Sequence, residues 1–526
     1  MPSLDYLSSF ILTSLVVIVA LLLLRGWNRT YRLPFPPGPE PRFLIGNLLD
    51  IPATYPWKTY AEWGKKYGDV IHIESFGNHV LVINSLQAAI ELLERRAHIF
   101  SDRPTFPMLA LNGWDMSFGF MRYGAKWRQH RRMFHQYFRR EAIPSYYPIQ
   151  SKKINELLRN LLSNPEDFVQ HIQTLAAANI MAIVYGYDVK PKDDPFVDLA
   201  EDAVERFAQS FLPDVWVNSF PFLRYFPSWF PGCGFHRFAR ETVPVVEEMK
   251  SLPFDFVKQT MRDGDETFSV VRELLEKNDI MNGGSAEQET IIKHTTAAAY
   301  AGITGPITSS TLHVFFLAMA LYPQVVRRAQ NEIDAVVGHG RFPQFEDRKE
   351  MPYCEAVFRE IFRWQATVPL ALPHATSEDD VFRGCFIPKG RVILGTGGIA
   401  SEDINILAML HDESVYANPE EFDPERFLNT NVDGQIQLNA NDRILNFGFG
   451  RRICVGRHAA DSVVWAAMFS VLAMFDISKA RDGEGDEIAI EPILSGAALS
   501  HPLPFRCAIT CRSEAAKQLV ERTTEF

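Results

Sequence analysis

The run Phe447-Gly-Phe-Gly-Arg-Arg-Ile-Cys-Val-Gly456 sets one cysteine, Cys454, between Gly450 and Gly456 and directly ahead of an apolar helical stretch, 457–475. A sulfur at a helix N-terminus meets the positive end of the peptide dipole and unpaired backbone N–H groups. Both favour the thiolate, the form that binds metal. The glycines predict a tight turn and close backbone approach to a flat ligand. Arg452 brings a cation that can meet a carboxylate. On this run alone a second reading competes, in which Cys454 is a small buried core residue.

Two further spacings carry chemistry. Trp127 and Arg131 lie one helical turn apart, and both side chains are hydrogen-bond donors, so one helix face can grip a carboxylate. Glu360 and Arg363 are three apart, which also puts them on one face, although pairs of this kind are common on surfaces. Fourteen histidines form no metal-ligand pattern: His130 and His135 are five apart and no H-E-x-x-H occurs. A zinc site is therefore not expected.

The cysteine run fits F-x-x-G-x-R-x-C-x-G and resembles the haem-ligand loop of the haem-thiolate monooxygenases, the cytochrome P-450 family. Glu360-Ile-Phe-Arg363 and Phe422-Asp-Pro-Glu-Arg426-Phe427 resemble the family's E-x-x-R and P-E-R-F elements, and Trp127-Arg-Gln-His-Arg131 its W-x-x-x-R helix. The motifs occur in the family's order across residues 33–512. The resemblance implies a mainly α fold with a small β subdomain. It implies haem b, with Cys454 as axial iron ligand in a loop that includes Phe447 and Gly456. It makes Trp127, Arg131 and Arg452 partners of the haem propionates, and His374, after Pro369-Leu-Ala-Leu-Pro373, a further one. Glu360, Arg363 and Arg426 would interlock as a structural triad beneath the cofactor. The implied reaction inserts one oxygen atom from O2 into a lipophilic small molecule, with electrons from NADPH through a cytochrome P-450 reductase. The overall flavour resembles fungal members of secondary metabolism.

The chain departs from that family in two places. The oxygen-activating helix normally carries an acid followed by a threonine. Here the stretch reads Ala301-Gly-Ile-Thr-Gly-Pro306-Ile-Thr308, and neither possible register supplies a carboxylate. Thr304 and Thr308, on either side of Pro306 and about one turn from each other, are the candidate substitutes for the proton relay. The second departure is the added segment 395–404, read as a surface loop. Two other readings therefore stand beside the monooxygenase: an atypical haem-thiolate isomerase, dehydratase or peroxide user, and a haem-binding protein with little catalysis.

The elements that must position these residues are mostly helical in period. One long helix is expected from Ser285, capped with Gln288, to Leu321. A hairpin is expected around Gly77-Asn78, with strand-like pieces at 381–387 and 391–394. Residues 7–24 carry no charge, and Arg25, Arg29 and Arg32 follow. Eighteen helical residues span about 27 Å, enough for one N-terminal transmembrane helix with the bulk of the chain on the cytosolic side of the endoplasmic reticulum. Residues 1–32 are thus read as anchor and basic flank, and 33–526 as one catalytic domain joined by a proline-rich spacer. The aromatic, proline-broken stretch 207–230 suits either a packed connection or an interfacial segment at the membrane. Net charge is −11 with no basic tract, so nucleic acid is not an expected partner. Six scattered cysteines suit a reducing compartment rather than a disulfide framework.

Overall fold

A computed structural model describes residues 33–523 apart from 44, 53, 213–214, 304–305, 391–400, 431–435, 440–442 and 498. The expected anchor, Thr304 and most of the added segment lie outside the described residues. Helices dominate. Five long ones open on proline, at Pro56, Pro195, Pro306, Pro323 and Pro352. Proline suits the first helical position because the N–H it lacks would have no partner there.

The expected single helix from Ser285 to Leu321 is two. Ala286–Ile303 ends, and Pro306–Leu321 begins on its proline. A proline inside a continuous helix would remove a hydrogen bond and collide with the preceding turn. Placing it at a helix start avoids both costs. The Ser285 hydroxyl accepts from the Gln288 N–H at 3.4 Å, as the capping pattern requires.

The sheets are small. Strands β1 (Val70–Ser75) and β2 (Asn78–Ile83) form the expected antiparallel hairpin. Its turn sits one residue earlier than expected, on Phe76 and Gly77, both with positive φ. The piece at 381–387 is a hairpin of its own, β3 (Asp380–Phe382) and β4 (Cys385–Ile387), turning at Arg383-Gly384. Strand β5 (Ser401–Ile404) runs parallel to β2. The end of the added segment is therefore a sheet strand, not surface loop. Its backbone completes a ladder that the β1–β2 hairpin leaves open on one side. Two further hairpins are β6–β7 (Leu428–Thr430, Ile436–Leu438) and β8–β9 (Phe475–Lys479, Cys507–Cys511).

Two helical cores meet at the segment that follows the cysteine run. The larger joins Pro306–Leu321, Pro352–Trp364 and most of Arg457–Met474. The second joins Ala125–Phe138, Phe168–Tyr185 and Ala286–Ile303, and it includes Val455 and Ala459. The stretch 207–230 is packed on one side and bare on the other. Val217 and Leu223 are buried with Met108, Cys233 and Phe235, while Tyr225 and Trp229 are 71% and 80% exposed.

Candidate functional site

The cysteine run folds as a loop of two short turns that leads into the Arg457–Met474 helix. Gly448 and Gly450 have φ of 76° and 53°, a region that suits glycine. A Cβ on Gly450 would come within 2.1 Å of the Leu93 carbonyl oxygen. The close approach that this glycine permits is thus to the protein's own backbone. Gly456 has φ −80°, which any residue adopts, so the expected need for glycine there does not come from backbone geometry.

The Cys454 N–H donates to Phe447 O at 2.8 Å and closes the loop, and the Phe447 ring lies 5.6 Å from Phe362. Cys454 keeps accessible surface although its neighbours Arg452 and Val455 are buried. The backbone amides of Gly456 and Arg457 and the charges of Arg131 and Arg457 favour its anion. Burial outweighs these and raises the thiol above its ordinary value. The thiolate expected from helix position alone is therefore disfavoured in the free side chain. Binding to a cation would reverse that balance.

Trp127 lies between two guanidinium groups, Arg131 at 5.4 Å and Arg452 at 4.4 Å from the ring centre. Arg131 donates to Ile453 O at 2.8 Å, from the residue before the cysteine. Arg452 donates to Ser101 O at 2.7 Å and Met121 O at 2.8 Å, but its Nη1 is buried with no partner. Desolvation lowers the pKa of both arginines, that of Arg452 to about 10. Two desolvated cations on one indole, one with an unused donor and the other tied to the residue before Cys454, make a cradle for an anionic ligand that also offers a metal. Haem, with carboxylates at one edge and iron at its centre, has that donor–acceptor complement.

His374 is buried, and its Nδ1 lies 2.8 Å from Phe100 O. A carbonyl only accepts, so Nδ1 holds the proton and the neutral ring offers Nε2 as an acceptor. Burial, Arg103 and Arg452 all hold the ring neutral. Donation from His374 to a propionate therefore requires the propionate's own charge to protonate the ring.

Glu360 and Arg363 pair through 2.6 and 2.8 Å bonds, and Arg426 joins Glu360 at 3.2 Å. Glu360 and Arg363 are 0% and 1% exposed, so this is not the surface pair that the spacing alone allows. Arg363 also holds the carbonyls of Leu410, Pro419 and Glu421, which fixes the segment leading to Arg426. Thr308 is buried on the Pro306–Leu321 helix.

Sequence reasoning missed Asp102. This buried carboxylate accepts from Arg122 and from the backbone N–H groups of Arg103 and Tyr123. Arg103 in turn donates to the carbonyls of Gly119, Leu372 and Pro373, so it ties the segment before His374 to the segment before Arg122. The available signal was the charged pair Asp102-Arg103 directly before Pro104.

The Cytochrome P-450 family model matches residues 36–507. The chain belongs to the cytochrome P-450 family. Similar proteins include the cytochrome P-450 monooxygenase COX1 of Coprinopsis cinerea, 38% identical over 93% of this chain and 94% of its own length. The cytochrome P-450 monooxygenase ppsD of Aspergillus oryzae is 36% identical over 97% and 96%. The tryptamine 4-monooxygenase of Psilocybe cyanescens is 36% identical over 95% and 98%. This cytochrome P-450 is accordingly a haem b enzyme of the monooxygenase class.

Proposed function

We propose that this cytochrome P-450 is a reductase-dependent monooxygenase of the endoplasmic reticulum, anchored by residues 7–24, which oxidises a lipophilic small molecule in fungal secondary metabolism. One observation carries the site: Arg131 and Arg452 both lie over the Trp127 ring, Arg131 holds the carbonyl of Ile453 just before Cys454, and Arg452 Nη1 is buried without a partner. Cys454 is the proposed iron ligand, in the loop bounded by Phe447 and Gly456. Trp127, Arg131 and Arg452 hold the haem carboxylates, and His374 accepts a proton as they arrive. Bound haem supplies the oxygen chemistry, and the thiolate ligand strengthens it.

The chain's own part is positioning and proton control. The Glu360–Arg363–Arg426 interlock fixes the segment 410–426, and the Phe362–Phe447 contact links that helix to the cysteine loop. Thr304 and Thr308 are the proposed hydroxyls that pass protons where the family uses an acid and a threonine. Exposed Arg451 and partly exposed Arg457, close to Cys454 in sequence, suit an acidic face on the electron donor. The relatives' names, ppsD and tryptamine 4-monooxygenase among them, support a role in specialised chemistry.

The decisive experiment expresses the full chain with a reductase and NADPH. The reading expects a thiolate-type reduced carbon monoxide spectrum, absent in Cys454→Ala, and NADPH-dependent oxidation of members of a lipophilic panel. A thiolate spectrum that survives in Cys454→Ala would place the ligand elsewhere. The missing acid and the helix start at Pro306 favour one alternative, a haem-thiolate isomerase, dehydratase or peroxide user. Turnover that needs no NADPH would establish it.

A further inference from the structure

Residues 34–38 cross the open side of β1 as a proline-rich strap. The Phe386 N–H of β4 donates to Pro34 O at 2.7 Å, and the His72 N–H of β1 donates to Pro37 O at 3.0 Å. β1 is an edge strand of its sheet, so the strap covers backbone groups that would otherwise stand unpaired. Gly38 lies flat on β1, where a Cβ would collide with the His72 carbonyl oxygen.

Between those two bonds Phe35 rests on a pair of histidines. Its ring stacks on His72 at 4.5 Å and 8° and on His79 at 4.9 Å and 21°, with the Phe386 ring edge-on at 5.9 Å. His72 stands opposite Leu81 and His79 opposite Glu74, so the two imidazoles are diagonal neighbours on one face of the hairpin. His72 Nε2 lies 2.8 Å from His79 Nδ1. That contact needs one N–H and one lone pair. A neutral pair supplies both, and so does a pair that has taken up one proton. A pair that has taken up two sets N–H against N–H and loses the bond.

The surrounding charges leave this rule in force. Glu74 shares the face with His79, and one carboxylate balances one imidazolium, not two. On the β3–β4 hairpin Asp380 is held by Arg96 and Arg383 by Asp69, each at 2.8 Å; Cys385 is the remaining titratable group there. The strap itself, Pro34-Phe-Pro-Pro-Gly38, carries none.

We infer that the His72–His79 pair is a latch that holds the strap on β1 near neutral pH and releases it when both rings are protonated. The strap lies between the proposed anchor and the rest of the domain, so release loosens the catalytic domain from the membrane. The latch does not depend on the haem site. Below the ordinary histidine value of about 6.5, the open strap carries one more proton than the closed one. Its population therefore rises about tenfold per pH unit until the closed pair also takes its second proton.

Hydrogen exchange of the full-length holoprotein in detergent micelles tests this. Peptides covering 70–75 and 385–387 hold the two amides that the strap protects, and exchange at pH 7.5 and pH 5.5 is corrected for its intrinsic pH dependence. Protection in both peptides should fall about tenfold at pH 5.5, while the Arg457–Met474 helix stays unchanged. His79→Asn keeps an uncharged amide near the Nδ1 position and should abolish the response. If that variant is already open at pH 7.5, His72→Gln, with an amide near the Nε2 position, replaces it. Equal protection at both pH values in the wild type, a loss shared by the Arg457–Met474 helix, or a pH response that survives in the variant would overturn the inference. A missing thiolate spectrum would overturn the haem site and leave the latch standing, so the two failures are distinct.

Discussion

Arg452→Met should separate the cost of the cofactor cradle from its use. The arginine is buried and lies near a second cation, Arg131. Burial lowers its pKa from the ordinary guanidinium value to about 10. At about 1.4 kcal/mol per pH unit, that corresponds to about 3 kcal/mol by which the folded apoprotein disfavours the charge. Folded and unfolded chains are both protonated near neutrality, so this cost is constant there and is relieved only as pH rises above about 10. Against it stand two hydrogen bonds, to Ser101 O and Met121 O, each worth about 1.5 kcal/mol or more for a charged donor. The two contributions nearly cancel. Apoprotein stability, read by urea unfolding, should therefore change by no more than about 1 to 2 kcal/mol. Haem affinity should fall much further. The Nη1 donor without a protein partner loses a charge-assisted bond to a carboxylate, worth about 1.5–3 kcal/mol, or about 10- to 150-fold. Haem titration of wild-type and variant apoprotein measures it. An apoprotein destabilised by more than about 4 kcal/mol with haem affinity unchanged would show that Arg452 is a structural strut and would refute the cradle.

Three more outcomes are expected. Glu360→Gln leaves Arg363 and Arg426 buried without their carboxylate and should cost the folded protein about 3–5 kcal/mol in denaturant unfolding; a loss below about 1 kcal/mol would remove the triad's structural role. Burial raises Asp403 on β5 from 3.8 to about 6, so the folded chain keeps a proton that the unfolded chain gives up. Stability should fall as pH rises from about 4 to about 6, by at most about 3 kcal/mol, and Asp403→Asn should abolish that slope and be the more stable at neutral pH. An unchanged slope in the variant would assign the titration to another group. Thr308→Val keeps the shape of a buried side chain but removes its hydroxyl; haem spectra should persist while product formed per NADPH falls about tenfold or more, and unaltered coupling would take Thr308 out of the relay.

The sequence by itself determined the local constellations. The cysteine run, the Trp127–Arg131 spacing and the Glu360–Arg363 spacing were legible because a helix or a tight loop fixes which neighbours share a face. The β1–β2 hairpin was legible for a similar reason, since it depends on residues next to one another in the chain. Only the tertiary structure decided how those pieces meet. Nothing in the spacing of Arg452 and Trp127, more than three hundred residues apart, states that they stack, or that the charge of Asp102 reaches Arg452. Pro306 falls inside the single helix expected from Ser285 to Leu321, whereas in the fold a helix begins there. The thiolate was inferred from a helix dipole, yet burial, which no local pattern encodes, pushes the Cys454 thiol the other way. Desolvation belongs to the packing of the whole chain around a group, so the charge states at the site were settled by the fold.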